Sequence, residues 1–398
     1  MILTIPFDDM GIIPYGRQDI SEADIQVVVD ALRSDYLTQG SVGPAFEKSL
    51  ADYCDAQHAI AVNSATSALH VACLALGVTQ GDMVWTTPIT FVASANCALY
   101  CGAQVDFVDI DPQTYNMSVE RLAEKLAEAK QAGKLPKVVI PVHMSGQPCD
   151  MAGIHALSRQ YGFKIIEDAS HAIGARYKGE PIGNCRYSDI TVFSFHPVKI
   201  ITTGEGGAAL TNDSQLAKRM KSLRSHGITS DAADMLIRPP EEIWNYQQID
   251  LGFNYRMTDI LAALGLSQMQ RLDKFVAKRH AIAKRYDQLL SDLPVITPLQ
   301  HADSYSSFHL YVIRLKRAEI SKTQREVYDT LREADILVNL HYIPVYRQPY
   351  FEKMGFVKGY CPEAEQYFKE AVSLPMYPGL TPAQQDSVVT VLREALGI

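Results

Sequence analysis

The sequence predicts an α/β protein, with a mostly parallel sheet flanked by helices and a smaller α/β domain at the C-terminal end. Three observations carry this. Short apolar runs rich in β-branched and aromatic residues alternate with helix-length apolar periodicity through the first two thirds of the chain. Strands separated by helices pair in parallel and are covered on both faces. The chain has 398 residues, more than the roughly 250–300 at which a single core stops growing.

The elements follow in order. Ser21 opens a helix to Ser34, with Asp24 placed for a capping box. Ala59 to Asn63 reads as a short buried strand that passes through Ser64-Ala-Thr-Ser67 into a helix carrying Ala68, Leu69, Ala72 and Leu76. Met83 to Thr86 is the next strand, and Phe91 to Cys101 fits a helix. Further strands are predicted at Gln104–Ile110, Lys137–His143, Lys164–Ile166, Ile190–Phe195 and Gly207–Thr211. The polar stretch from Thr229 to Ile249, with Pro239-Pro240, reads as a long loop. A long helix is expected from about Asp259 to Leu290, then a strand at Phe308–Leu315 and a helix at Lys322–Ala334. This divides the chain into an N-terminal segment (1–20), a large unit (21–258), and a long helix with a small domain (259–398).

Composition narrows the function. Lys+Arg less Asp+Glu is 37 − 45 = −8, a poor balance for non-specific nucleic-acid binding. An anionic ligand would need a local positive site. The seven cysteines (54, 73, 97, 101, 149, 185 and 361) are scattered and odd in number, which suits a reducing compartment. Cys97 and Cys101 share a helix face, but no partner pair has ligand spacing, so no metal site is expected. The opening 16 residues are acidic and broken by proline, unlike a signal peptide. No apolar run is long enough for a membrane span. A cytoplasmic enzyme is expected. His143 reads as a core or pocket histidine, and Asp106, Asp109 and Asp111 as turn residues.

Three segments carry chemistry. Asp168 ends the strand Lys164-Ile-Ile-Glu-Asp168 and precedes Ala169-Ser170-His171; alone it could be a turn aspartate. Lys199 follows the next strand in Ser194-Phe-His-Pro-Val-Lys199, ahead of glycines 204, 206 and 207. An ammonium there is costly to desolvate, and the glycines allow a tight turn beside a ligand. Alone it could be a solvated loop lysine. Asn63-Ser-Ala-Thr-Ser67 opens a helix whose free amides and dipole favour an anion, or it is an ordinary cap. Together they meet the needs of pyridoxal 5'-phosphate: a helix N-terminus for phosphate, a carboxylate that keeps the pyridine nitrogen protonated, and a lysine amine for the aldehyde.

These motifs resemble the DegT/StrS-type sugar-nucleotide aminotransferases, from Ile13-Pro-Tyr-Gly16 to the C-terminal helix. The resemblance implies a fold-type I pyridoxal-phosphate-dependent transferase, acting as a homodimer with shared sites. Lys199 matches the lysine that carries the cofactor, Asp168 the partner of the pyridine nitrogen, and Phe91 the aromatic on the ring face. His171 stands where many relatives have Gln, near the ring hydroxyl. Ala65, Thr66 and Ser194 match phosphate contacts, and Asn254, in Gly-Phe-Asn-Tyr-Arg256, matches a phosphate ligand donated by the neighbouring subunit.

Within the family, the segments at 34–40, 86–94, 224–227 and 338–346 are most similar to the pseudaminic acid pathway transaminases. That implies amination at C4 of a UDP-linked 4-keto-6-deoxy-N-acetylhexosamine with L-glutamate as donor. Tyr15, Asp35, Tyr36, Leu37, Thr38, Ala65, Ser194, His341, Tyr342, Ile343 and Pro344 would then contact substrate; His341 and Tyr342 could equally be core residues. Arg17, Arg33 and Arg224 are open as diphosphate ligands. The alternatives are a relative acting on another nucleotide-linked keto sugar, and a non-catalytic sugar-nucleotide binder on the same scaffold. Sugar dehydratases of this family carry His where this chain has Lys199, and no Gly-x-Gly-x-x-Gly of a nicotinamide enzyme lies between a strand and a helix.

Overall fold

The computed structural model describes residues 11–243 and 245–398. The first ten residues of the N-terminal segment, and with them most of the reading against a signal peptide, lie outside the described residues.

Seven strands form the central sheet: β1 (His58–Val62), β2 (Met83–Thr86), β3 (Gln104–Phe107), β4 (Val138–Ile140), β5 (Lys164–Asp168), β6 (Ile190–Ser194) and β7 (Gly207–Thr211). Their order is β1-β7-β6-β5-β4-β2-β3. From β6 to β3 every pairing is parallel. Strand β7 runs antiparallel to both β6 and β1, because the segment that joins it to β6 (195–206) contains no helix to carry the chain back. That segment is the one bearing Lys199.

Helices cover both faces: α1 (Glu22–Arg33), α2 (Val42–Cys54), α3 (Ala65–Ala75), α4 (Ala93–Tyr100), α5 (Val119–Ala132), α6 (Met151–Tyr161) and α7 (Ser214–Arg224). Side chains alternate across a strand, so each strand feeds two cores. Ile60, Val62, Ile166 and Val192 join Leu69 of α3, Ala95 of α4 and Met220 of α7. Ala61, Val139, Ile165 and Phe193 join Leu50 of α2, Leu122 of α5 and Ile154 of α6. A third core gathers Tyr311, Ile313, Val327, Leu331, Val372, Leu374 and Leu392 from the C-terminal elements, together with Ile13.

The capping box at Ser21 is present, with Asp24 as its acid. The long helix expected from Asp259 to Leu290 is instead two, α8 (Asp259–Met269) and α9 (Leu272–Leu289), parted at Gln270–Arg271. The break follows from two demands on one stretch. The buried Asp24 of α1 takes hydrogen bonds from Ser267 and Gln268 and pairs with Arg271, fixing the end of α8. Helix α9 must instead deliver Phe275 and Val276 to the second core and Ile282, Ala283 and Tyr286 to the third. The stretch from Thr229 to Ile249 is a loop apart from a two-residue ladder between Ile228–Thr229 and Gln247–Gln248.

Arg279 of α9 is fully buried. Its Nη1 donates to the carbonyls of Phe308 (3.1 Å), His309 (3.1 Å) and Met376 (3.0 Å). Burial pulls its guanidinium down to about 9. Met376 in turn donates its amide to Tyr15 O at 2.9 Å, so one side chain ties together segments that reach the site below. Arg279→Leu leaves three buried carbonyls without a donor. At roughly 1–3 kcal/mol per orphaned group, less the relief from burying no cation, a loss of about 3–5 kcal/mol is expected. Chemical denaturation checks this; a change under about 1 kcal/mol would contradict the tether.

Candidate active site

In open α/β sheets ligands sit beyond the carboxyl ends of the strands. A cleft of about 610 Å³ lies there, and its wall includes the ends of β5 and β6, the start of α3, and the segment 339–343.

Asp168 is the last residue of β5 and is buried. Its backbone is held on both sides: its amide donates to Pro141 O (2.9 Å), its carbonyl accepts from the amide of His143 (3.1 Å), and the next amide, Ala169, donates to Val192 O (2.8 Å). Ser94 Oγ donates to Oδ2 at 2.6 Å and the amide of Ser170 to Oδ1 at 3.1 Å. A carboxylate with two fixed donors stays in one orientation.

Lys199 sits in the segment that closes β6 onto β7. The amide of Phe195 donates to Gly206 O (2.9 Å) and that of Thr203 to Phe195 O (3.0 Å), so the segment leaves and re-enters the sheet at one point. Burial lowers the Lys199 amine to about 8, against the Asp168 charge that favours the ammonium. A neutral amine, the nucleophilic form, is therefore accessible near neutrality.

Helix α3 starts at Ala65, with Ser64 Oγ accepting from the amide of Ser67 at 3.2 Å. Its first amides have no intrahelical acceptor, and Ala65 and Thr66 line the cleft. Gly207 makes this possible: a Cβ there would lie 2.5 Å from Ala65 N, so only glycine lets the helix start against β7. An anion-binding helix end, an anchored carboxylate and a low-pKa amine on one cleft fit the phosphate, ring nitrogen and aldehyde of pyridoxal phosphate.

The histidines of the cleft are uncharged. His171 is held well below its usual range by burial and the Lys199 charge, and His341 at about 3 by the same two causes. Burial also lowers His196. Tyr342 is pushed up by burial and stays protonated. Among the described residues lining the cleft, Lys199 is thus the only cation at neutral pH.

The structure brings together Tyr15, Ala65, Thr66, Phe91, Asp168, His171, Ser194, Lys199, His341, Tyr342 and Ile343 on this cleft. Phe91 is 60% exposed, so it is no core residue. Pro344 is buried behind the wall and opens a 3-10 turn. Asp35, Tyr36, Leu37 and Thr38 are exposed on the turn between α1 and α2, off the cleft. Asn254 is likewise exposed and off it, paired by its backbone with Ser225. Arg224 is committed to Glu47 and Ala61 O, Arg17 is engaged, and Arg33 is exposed.

Sequence reading missed Ser94, Asn339 and His309. Ser94 reaches Asp168 only because α4 and β5 meet across the sheet. Asn339 donates to His341 Nε2 (3.3 Å), whose Nδ1 faces Ser373 Oγ (2.8 Å). The His309 ring lies 4.3 Å from that of His171 between centroids, tilted by 40°. Ser94 and Asn339 lie in segments that the resemblance picked out without giving either a role, and His309 carries no local signal. His143 is buried against Glu167 (2.8 Å). Of the three expected turn residues, Asp106 instead lies in β3 and pairs with Lys125; Asp109 accepts the amides of Ile110 and, far along the chain, of Glu363 and Ala364; Asp111 accepts amides in a turn. All seven cysteines are free, and Cys97 and Cys101 donate to backbone carbonyls.

Residues 18–393 match the DegT/DnrJ/EryC1/StrS aminotransferase family. The chain is 38% identical over 366 residues to a UDP-4-amino-4,6-dideoxy-N-acetyl-beta-L-altrosamine transaminase of Campylobacter jejuni, covering 91% of this chain and 92% of that protein. Its fold is similar to that of PseC of Helicobacter pylori, an aminotransferase involved in the biosynthesis of pseudoaminic acid. The TM-score is 0.86 at 28% identity, over 97% of this chain and 99% of that one. The PLP form of a sugar aminotransferase from Streptococcus pneumoniae gives a TM-score of 0.85 at 30% identity, over 97% and 100%.

Proposed function

Because the chain belongs to the DegT/DnrJ/EryC1/StrS aminotransferase family, we propose that it moves an amino group from L-glutamate to C4 of a UDP-linked 4-keto-6-deoxy-N-acetylhexosamine, as a step of pseudaminic acid biosynthesis. That it is a pyridoxal-phosphate-dependent sugar aminotransferase follows from the family and its cofactor-bearing structures. The observation that carries the reading is the meeting of Lys199 and Asp168 on one cleft with the start of α3. The sugar is supported by the Campylobacter relative and by the PseC likeness.

When bound, pyridoxal phosphate supplies an electron sink that loosens a proton on the carbon next to the amine. The chain's own residues do the rest. Ala65, Thr66 and Ser194 would hold the phosphate, Asp168 would keep a proton on the ring nitrogen, and Phe91 would lie against the ring. The Lys199 amine takes a proton from the α-carbon of glutamate and, in the return half, delivers one to C4 of the sugar.

The second copy belongs to this reading. Glutamate carries two carboxylates and UDP a diphosphate, while the cleft offers Lys199 as its single cation among the described residues. We place Asn254 and the turn 35–38 in the neighbouring site of a homodimer, and the enzyme in the cytoplasm, in keeping with its free cysteines. No described helix is long and apolar enough to cross a membrane. If Asn254 acts across subunits, mixing inactive Lys199→Ala and Asn254→Ala proteins restores turnover; a mixture as inactive as its parts would refute the sharing.

The substrate test is a panel of UDP-linked and other nucleotide-linked 4-keto sugars with glutamate, products read by NMR. A C4 amine on the UDP-linked 6-deoxy-N-acetyl sugar is expected. Amination confined to a sugar on another nucleotide would favour the sister reading and sink this one.

A further inference from the structure

We propose that the loop between β4 and α6 (residues 144–150) fixes the proton of the His171 imidazole on Nε2, and thereby presents the Tyr342 hydroxyl to the cleft as a hydrogen-bond donor. This deepens the reading above and rests on it only for the identity of the acceptor, an oxygen of the bound sugar or cofactor.

Two backbone amides of the loop aim at the two rings. The amide of Ser145 donates to His171 Nδ1 at 3.3 Å, and that of Cys149 to His143 Nδ1 at 3.0 Å. An N–H can meet a ring nitrogen only where that nitrogen keeps its lone pair. In a neutral imidazole, as His171 is, the proton then lies on the other nitrogen; His143 is pulled both ways, burial disfavouring its charge while Cys149 and Glu167 raise it to about 10. His143 Nε2 faces Glu167 Oε2 at 2.8 Å, so its N–H donates to the carboxylate beside Asp168. His171 Nε2 faces Tyr342 Oη at 3.3 Å, so its N–H donates to the phenol oxygen. Tyr342 already receives a proton there, and its own O–H is left to donate elsewhere, in a ring that lines the cleft.

The loop is built to hold this aim. Ser145 sits in the left-handed region (φ 60°, ψ 5°), followed by Gly146 at φ 93°. A Cβ on Gly146 would stand 2.3 Å from Ser307 Oγ and 2.9 Å from His171 O. Ser307 bridges the same parts, its Oγ donating to His171 O (2.6 Å) and its amide to Gly146 O (3.1 Å). From the other side Asn116 Nδ2 donates to Gln147 O and Pro148 O, both at 3.0 Å, and its Oδ1 accepts from the amide of Met144 at 2.9 Å. The Ser145 amide therefore cannot swing away without breaking contacts on both flanks. Ser145 and Gly146 act through His171, as positioning residues.

The experiment is the imidazole ¹⁵N spectrum of the full chain labelled at histidine, without and with cofactor, with His143→Gln and His171→Gln identifying the two rings. A proton on Nε2 and a bare Nδ1 in His171 is expected. A proton on Nδ1 of His171, or on both of its nitrogens, overturns the proposal. Gly146→Ala should mix the His171 tautomers and lower turnover by about tenfold or more, since losing an aligned donor is worth about 1.4 kcal/mol. In the His171→Gln background, whose amide donates whichever way the loop points, the same change should cost under about threefold. Equal losses in both backgrounds overturn it. Should Gly146→Ala not fold, the wild-type spectrum still decides. A chain with the expected spectrum that aminates no keto sugar supports this proposal and sinks the substrate reading.

Discussion

Lys199→Ala is expected to lower turnover by more than about 10³-fold, the scale of losing a proton-transferring side chain that also anchors the cofactor. It should also remove the visible absorbance of the lysine-linked cofactor. Alanine cannot bond to an aldehyde and cannot move a proton, so both signals vanish together. In the unmodified chain the free amine lies near about 8, lowered by burial and partly restored by Asp168. Only the neutral amine attacks, so the rate of cofactor loading should rise as pH is raised through about 8 and then level off. Stopped-flow absorbance with purified cofactor-free protein measures this. Turnover within tenfold of wild type in Lys199→Ala would remove the premise of the whole site.

Asp168→Asn tests the second half of that premise. Asparagine keeps the shape: its carbonyl oxygen can accept from the Ser170 amide, and its Nδ2 can donate to a Ser94 hydroxyl turned to accept, so the fold should be unaffected. It carries no charge to hold a proton on the ring nitrogen, and the electron sink weakens. A fall of at least about 10²-fold is expected, the scale of removing one preorganised electrostatic partner. The sign on Lys199 is also fixed. The Asp168 anion favours the ammonium; without it the amine becomes neutral at lower pH, and the loading profile should move down. Turnover within about threefold of wild type, or a profile moved upward, would contradict the assigned role.

Much of the site was legible because each part had a local signature. A strand ending in Asp168, a strand followed by Lys199 and a glycine cluster, and a small-residue helix start are short-range patterns, and chemistry alone relates them to one cofactor. The parts that were not legible depend on distant contacts. The helix break at Gln270–Arg271 answers to Asp24, far away in sequence. The Ser94 hydrogen bond to Asp168 and the His309 ring on His171 exist only once the sheet and the C-terminal unit have packed. Exposed Asp35 to Thr38 and Asn254 carry family motifs, yet the single folded chain leaves them off the cleft.

By itself the sequence determined the alternating strands and helices, the family, and the amine and carboxylate of the centre, because periodicity and short motifs are local properties of the chain. Tertiary structure alone decided how those groups behave. It set the lowered Lys199 amine, the uncharged histidines and the fixed carboxylate, since desolvation and hydrogen-bond direction come from neighbours that only folding brings within reach.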